Sequence, residues 1–171
     1  MIQVYYGDGK GKTTAALGLS IRALGSGQKV AIIFFDKGGQ NYNERKILDN
    51  LGIAYFSYGR DRRLSNNRFD FSLKDEDLAM AQKSMAQLLK IHHDYDLIVL
   101  DEVLNAIRLK MMPLQELLDY LDNKLPPNLE LVLTGRGLWP EISERADLIS
   151  EMKMIKHYFQ KKLPAREGIE Y

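Results

Sequence analysis

The sequence contains no cysteine. This absence excludes disulfide bonds, cysteine-ligated zinc, iron–sulfur clusters and thiol catalysis. An excess of charge of one sign is also missing, because 24 Lys and Arg residues stand against 23 Asp and Glu residues, for a formal net charge of +1. Such a chain has no general attraction to nucleic acid or to an anionic membrane, so we expect neither as a partner. Any anion must be bound at a local site.

Long apolar runs are absent as well. No segment approaches the roughly 20 consecutive apolar residues that cross a bilayer, and the N-terminal sequence has no signal-peptide pattern. We therefore expect a cytoplasmic protein. The 171 residues, 45% of them hydrophobic, are enough for a globular domain with its own core, and no repeat or low-complexity tract divides them. We expect a single domain over residues 1–171.

Apolar segments of strand length alternate with segments of helical periodicity. Helices are predicted from Thr13 to the glycines at 25 and 27, over 41–50, and over 73–93, the last with Ser72 and Asp75 as a capping box and an apolar stripe from Leu78 to His92. Another helical region is interrupted at Pro113. This alternation predicts an α/β fold with a doubly wound, mainly parallel sheet flanked by helices and ligands at the carboxyl ends of the strands. The predicted strands are 1–6, 30–35, 53–58, 97–100, 129–133 and 148–152.

A glycine-rich segment lies between the first predicted strand and the first predicted helix. Glycines let backbone N–H groups turn toward an anion, and the helix N-terminus and the ammonium of Lys12 add positive charge. Thr13 would place its hydroxyl on a magnesium ion that bridges phosphate oxygens. The usual G-x-x-x-x-G-K-[ST] pattern would start at position 6, so this is a variant phosphate loop for a triphosphate such as ATP; the alternative is a glycine-rich turn that caps an ordinary helix. The segment comprises Gly7, Asp8, Gly9, Lys10, Gly11, Lys12, Thr13 and Thr14.

Two carboxylates end the apolar segment 97–100. Asp101 and Glu102 would stand near the phosphate loop, where one could bind magnesium, directly or through water, while the other orients it. Either residue could hold the inner place. The alternative is a strand followed by a helix N-terminus, where acidic residues are favoured for another reason.

Other polar residues carry weaker signals. Arg136, in the segment TGRG (134–137), could bind phosphate or belong to a solvated turn, and the residues leave both open. The arginines at 60, 62, 63 and 68 could bind an anionic partner, but a polar loop is more often solvated. His92 and His93 point about 100° apart on a helix and His157 has no helical partner, so we expect structural roles rather than a zinc site.

Taken together, these segments resemble the corrinoid adenosyltransferases, a phosphate-loop family, over essentially the whole chain. The position of the first loop glycine is the form found in that family. The resemblance rests on the segments YYGDGKGKTTAA (5–16), RALGSGQKV (22–30), KG (37–38), ER (44–45), LDE (100–102), TGRG (134–137) and AREGIEY (165–171).

The resemblance implies transfer of the 5′-deoxyadenosyl group of ATP to the Co(I) of a corrinoid, with release of triphosphate. Lys12, the loop N–H groups and magnesium at Thr13 with Asp101 or Glu102 would stabilise the charge of the leaving group. It also implies a homodimer and leaves room for a reductase that supplies Co(I). In the family a Phe-x-Trp pair excludes an axial ligand from the lower face of cobalt.

The nearest match to that aromatic pair is Phe69 and Phe71, where phenylalanine stands in place of tryptophan. These rings could exclude water from cobalt or could simply pack a loop onto the core. Two alternatives to adenosyl transfer remain open at this point. One is a phosphate-loop ATPase or small-molecule kinase, and the other is a non-catalytic paralogue that binds the nucleotide or the corrinoid.

Overall fold

A computed structural model describes residues 1–39, 42–62, 70, 72–161 and 163–169. It contains one six-stranded sheet with the order β3-β2-β4-β5-β1-β6, and every neighbouring pair is parallel. The predicted doubly wound α/β fold, consistent with that of phosphate-loop NTPases, is therefore confirmed. The strands are β1 (Ile2–Tyr6), β2 (Val30–Phe34), β3 (Ala54–Ser57), β4 (Leu97–Asp101), β5 (Glu130–Gly135) and β6 (Leu148–Glu151).

Helices cover both faces of the sheet. Strand β2 shows why its sequence is apolar throughout: Ala31 and Ile33 pack into one core cluster, whereas Ile32 and Phe34 pack into another cluster with residues of α1 and α2. A strand with two covered faces has no position for a polar side chain, which accounts for the continuous apolar run. The helices are α1 (Lys12–Gly25), α2 (Glu44–Leu51), α3 (Asp75–Ile91), α4 (Val103–Arg108), α5 (Leu114–Asn123) and α6 (Pro140–Arg145), followed by a 3₁₀ turn (Tyr158–Lys161).

The start of α3 differs from the prediction. The helix begins at Asp75, and the side chain of Asp77 accepts a hydrogen bond from the backbone N–H of Lys74 at 2.9 Å. Ser72 does not cap the helix, because its hydroxyl donates to the Asp70 carboxylate at 2.5 Å. Leu78 was expected on the buried stripe but is 38% exposed. The first turn of α3 holds three acidic residues, Asp75, Glu76 and Asp77, and the third of them accepts the capping hydrogen bond.

The carboxyl ends of the strands form the edge at which the chemistry-bearing residues meet. Strand β5 lies between β1 and β4, so the phosphate loop after β1 and the carboxylates after β4 are not on adjacent strands. Helix α1 starts at Lys12 and contacts both β4 and β5, which brings its first residues toward the end of β4. In the described part of the chain, no helix has the length and apolar character to span a membrane.

Candidate active site

The glycine-rich segment forms a loop between β1 and α1, and the residues after β6 hold it in place. Gly7 has a φ of 116°, which favours glycine, and a Cβ there would lie 2.5 Å from the carbonyl oxygen of Met152. The N–H of Gly9 donates to that oxygen at 2.6 Å, and the N–H of Met152 donates to Tyr6 O at 2.7 Å. The loop therefore needs glycine because another backbone segment touches it.

Lys12 is the first residue of α1 and is nearly buried, with 8% of its surface exposed. Its Nζ donates to the carbonyl oxygens of Gly7 and Gly9, both at 2.7 Å. Burial lowers the pKa of Lys12, while Glu102 acts in the opposite direction. The ammonium thus lies across the loop, where it is positioned for an anion that the loop encloses.

Asp101 ends β4 and is fully buried. Its Oδ1 accepts hydrogen bonds from two hydroxyls, Thr13 Oγ1 at 2.9 Å and Thr134 Oγ1 at 2.7 Å. The structure therefore brings together two of the three predicted metal ligands, although they are 88 residues apart in the chain. Thr134, which sequence analysis gave no separate role, holds the same carboxylate from β5.

Lys37 completes this group of polar side chains. Its Nζ lies 2.8 Å from Asp101 Oδ2 and 2.9 Å from Thr13 Oγ1, with Glu44 at 3.9 Å. Burial lowers the pKa of Lys37, but the charge and hydrogen bond of Asp101 raise it more, so the pKa of Lys37 lies above its usual value. The sequence alone indicated no site role for Lys37. Its position three residues after the end of β2, at the edge where ligands bind, was the signal that could have identified it.

Glu102, the third predicted metal ligand, has a φ of 64° between β4 and α4. Its backbone N–H donates to Thr134 Oγ1 at 2.9 Å, and its carboxylate accepts a hydrogen bond from Asn105 Nδ2. Burial, together with the charge of Asp101, raises the pKa of Glu102 to about 7. Two neighbouring carboxylates in a poorly solvated place disfavour double ionisation, which a bound cation would relieve.

A cavity of about 900 Å³ opens above the loop and beside Glu102. This volume is within the roughly 300–1,000 Å³ typical of small-molecule sites. Its wall includes most of the predicted phosphate-loop residues, together with Lys37, Glu102 and Arg136. The predicted loop residues on the wall are Asp8, Gly9, Lys10, Gly11, Lys12, Thr13 and Thr14.

Arg136 and the C-terminal segment form another part of the same wall. Arg136 is exposed, and its backbone N–H donates to Asn105 Oδ1 at 2.9 Å, so both its predicted alternatives remain open. His157 and Ile169 also line the cavity, and Lys10 Nζ donates to the carbonyl oxygen of Ile169 at 2.8 Å. The position of His157 differs from the expected purely structural placement. The sequence could not reveal it because His157 reaches the site only through the path of the chain after β6.

The prediction that the arginine-rich loop is solvated is wrong for Arg60 and Arg62. Arg62 is 6% exposed and pairs with Asp36 Oδ1 at 2.5 Å and Asp77 Oδ1 at 3.1 Å. Arg60 pairs with the same Asp77 at 3.3 Å and with Asp70 Oδ2 at 3.0 Å. These arginines are buried because carboxylates from three different segments balance their charge. Arg63 and Arg68 lie outside the described residues.

The two aromatic residues predicted to face cobalt, Phe69 and Phe71, also lie outside the described residues. The adjoining residues are described: the N–H of Asp70 donates to Arg62 O at 2.8 Å.

His92 packs against His93 and Tyr120, with ring-centroid distances of 4.2 Å and 5.8 Å. Within the described ranges, no three His, Asp or Glu side chains are grouped closely enough to hold a metal ion by themselves.

The oxygens of Thr13 and Asp101 nevertheless suit a magnesium ion whose other ligands come from phosphate and water. Magnesium prefers hard oxygen ligands and usually takes only one or two from the protein, with the rest from water and phosphate. A cationic group, the Lys37 ammonium, already lies between these two oxygens. The donor set therefore fits the ion that the phosphate loop predicts.

Comparison with known proteins identifies the family to which the chain belongs. The whole chain, residues 1–171, matches the family described as ATP:corrinoid adenosyltransferase BtuR/CobO/CobP. It is similar to the Corrinoid adenosyltransferase of Escherichia coli strain K12, with 34% identity over 100% of this chain and 85% of the relative. Corrinoid adenosyltransferase CobA of Salmonella typhimurium is 32% identical with the same coverage, and the Corrinoid adenosyltransferase of Pseudomonas aeruginosa is 33% identical over 100% and 83%. The sequence resemblance is thus confirmed, and the chain belongs to the ATP:corrinoid adenosyltransferase family of enzymes.

Proposed function

We propose that this protein transfers the 5′-deoxyadenosyl group of ATP to the Co(I) of a corrinoid and releases inorganic triphosphate. The observation that carries the proposal is the placement of Lys12 and Thr13 on the wall of one cavity, with the buried Asp101 hydrogen-bonded to Thr13, in a chain of this family. We further propose that residues 1–171 act as one domain and that the protein works in the cytoplasm. A homodimer and a reductase that supplies Co(I) belong to the same proposal.

The reaction displaces an oxygen from carbon and attacks no phosphorus. Co(I) donates an electron pair to the 5′ carbon of ATP, the bond between that carbon and oxygen breaks, and the pair from that bond leaves with triphosphate. Cobalt is formally oxidised to Co(III), and no proton needs to be removed. The protein therefore needs no general base, and its task is to align the two substrates and stabilise the leaving group.

The phosphate loop supplies that stabilisation. Negative charge grows on the triphosphate as the bond breaks, and the ammonium of Lys12 is positioned across the loop before the reaction begins. We assign triphosphate contacts to Gly7, Asp8, Gly9, Lys10, Gly11 and Thr14 as well, through the loop backbone, and to Arg136 through its guanidinium. Such groups favour departure of the triphosphate as one unit.

Magnesium would be held by Thr13 and Asp101, with Glu102 beside them. When bound, it supplies positive charge to triphosphate oxygens. The two hydroxyls on Asp101 fix the orientation of that carboxylate. Glu102 is positioned by Asn105 and by the left-handed backbone that turns it toward the cavity wall.

Phe69 and Phe71 remain our candidates for the apolar surface against the lower face of cobalt. Among the described residues near this segment, Arg62 and Asp70 are joined by a backbone hydrogen bond and form ion pairs with Asp36 and Arg60, respectively. An apolar contact that excludes an axial ligand would make reduction of the corrinoid to the Co(I) state easier.

The deciding experiment incubates the protein with ATP, magnesium and chemically reduced cob(I)alamin or a reduced corrinoid precursor. We expect the absorption change of cobalt–carbon bond formation, a light-sensitive product and one equivalent of triphosphate. Formation of ADP in place of triphosphate would indicate an ATPase or a kinase. Binding of both substrates without a product would indicate a non-catalytic paralogue.

A further inference from the structure

Lys37 is a charged residue of the cavity that the proposed function has not used. Its ammonium is the only described cationic group that touches both Thr13 Oγ1 and Asp101, at 2.9 Å and 2.8 Å. These are the same two side chains that suit magnesium. One pair of oxygen ligands thus has two candidate cations, one built into the chain and one from solution.

The backbone of Lys37 is fixed, so its contacts do not depend on a free loop. The carbonyl oxygen of Lys37 accepts a hydrogen bond from Arg45 Nη2 at 2.5 Å and another from Ser57 Oγ at 2.6 Å. Gly38 packs so closely that a Cβ would collide with the carbonyl oxygen of Gly59. The chain therefore delivers the side chain of Lys37 to the Thr13 and Asp101 pair from a rigid base.

The charge of Asp101 explains why a cation is needed there at all times. Its carboxylate is fully buried, and an uncompensated buried charge is strongly destabilising. An ammonium is a compact charge on a flexible stem of four carbons, so it can change partners by rotating that stem. Lys37 also lines the cavity that would hold the triphosphate, so a phosphate oxygen is a possible second partner for its ammonium.

We propose that Lys37 is a further triphosphate ligand whose ammonium occupies the magnesium position until the nucleotide arrives. Lys37 then gives up the Thr13 and Asp101 oxygens to the divalent cation and turns to the triphosphate. The inference rests on the proposed function in taking a polyphosphate as the ligand. It adds a second lysine to the leaving-group site and makes the protein's own ammonium a competitor of the metal.

Lys37→Met tests the inference, because methionine keeps an unbranched side chain of similar length and removes the charge. The probes are Mn²⁺, followed by its paramagnetic signal, and inorganic tripolyphosphate in buffer with saturating Mg²⁺, followed by calorimetry. We expect Mn²⁺ to bind the nucleotide-free variant roughly tenfold more tightly than wild type and tripolyphosphate to bind it roughly tenfold more weakly. Mn²⁺ should also raise the melting temperature of the variant more than that of wild type.

Lys46→Met is the matched control, since Lys46 is an exposed lysine on α2 whose ammonium donates a hydrogen bond to Asn43 Oδ1. It should behave as wild type with both probes. If either affinity of Lys37→Met stays within about twofold of wild type, the inference is overturned. A variant that folds only with Mn²⁺ supports it, and one that stays unfolded with Mn²⁺ contradicts it. Neither probe contains a corrinoid, so the outcome is independent of whether adenosyl transfer occurs.

Discussion

Two groups of buried charges lie near the carboxyl edge of the sheet, and they are built from different cations. The lysine cluster consists of Thr13, Lys37, Asp101 and Thr134. The arginine cluster consists of Asp36, Arg60, Arg62, Asp70 and Asp77. Both bury carboxylates with little access to water, so both need positive charge in place. What differs is how firmly that charge is held.

The arginine cluster is held from several sides at once. Arg62 contacts two carboxylates, a backbone carbonyl and the sulfur of Met111, while Arg60 reaches two carboxylates and two carbonyls. A planar guanidinium with several partners cannot leave without breaking them all. The ammonium of Lys37, by contrast, can exchange its partners. The arginine cluster is therefore suited to maintaining structure, whereas the lysine cluster is suited to ligand exchange.

Replacing Arg62 should have the largest effect, and the effect should be on stability. Arg62→Met leaves Asp36 without its arginine partner and Asp77 with Arg60 alone, so we expect a loss of about 3–5 kcal/mol in the free energy of unfolding, measured by urea denaturation. Arg145→Met is the control, because Arg145 pairs with Asp122 at the surface and should change stability little. Equal stability of Arg62→Met and wild type would contradict a structural role for the arginine cluster.

Replacing Lys12, which directly precedes Thr13 of the lysine cluster, should lower activity and leave the fold intact. Lys12→Ala removes a preorganised charge from the leaving group, so adenosyl transfer should fall roughly 10²–10³-fold and ATP binding should weaken with it. Steady-state kinetics and calorimetry measure the two effects, with Lys46→Ala as the control. A stable variant that binds ATP and transfers adenosine normally would remove Lys12 from the site.

Glu102 directly follows Asp101 of the lysine cluster, and its titration predicts how the stability of the protein depends on pH. Its pKa is raised from 4.5 to about 7, so between these values the folded chain keeps a proton that the unfolded chain has released. The free energy of unfolding of metal-free wild type should therefore decrease as pH rises through this window and level off above it. Because its side chain is half-buried, we expect a decrease on the order of 1–3 kcal/mol.

The substitution Glu102→Gln should flatten that pH dependence, because the titrating group is gone. Denaturant unfolding at pH values below, within and above the window measures the slope. Glu144→Gln, at an exposed position on α6, serves as the control and should keep the wild-type slope. A Glu102→Gln slope equal to that of wild type would show that another group is responsible.

The smallest expected effect concerns Phe71, which lies between Asp70 and Ser72 in the sequence. Phe71→Ala should lower adenosyl transfer up to roughly tenfold through the lost aromatic contact, while ATP binding stays near the wild-type value. Kinetics with varied corrinoid and calorimetry with ATP separate the two. Normal transfer by Phe71→Ala would mean that this ring does not serve the cobalt face.

Some features of the protein were determined by the sequence alone. Residues 7–14 identify a phosphate loop because glycine backbone freedom, a helix start and a lysine act over a few neighbouring residues. The apolar runs at 30–35 and 97–100 likewise predict buried parallel strands, since two covered faces leave no place for a polar side chain. The position of Asp101 near Thr13 could be predicted from the general rule about the carboxyl ends of parallel strands.

Other features depended on tertiary structure. The sequence placed Lys37 beside no particular partner, and only the strand order β2-β4-β5-β1 with α1 above it brings Lys37 to Thr13 and Asp101. Arg62 looked solvated because its neighbours in the chain are polar, yet Asp36 and Asp77 from distant segments bury it. Periodicity and backbone preference act between near neighbours, so a sequence displays them directly. The pairing of distant charges depends on which strands become adjacent and how much water is excluded, and folding of the whole chain decides both.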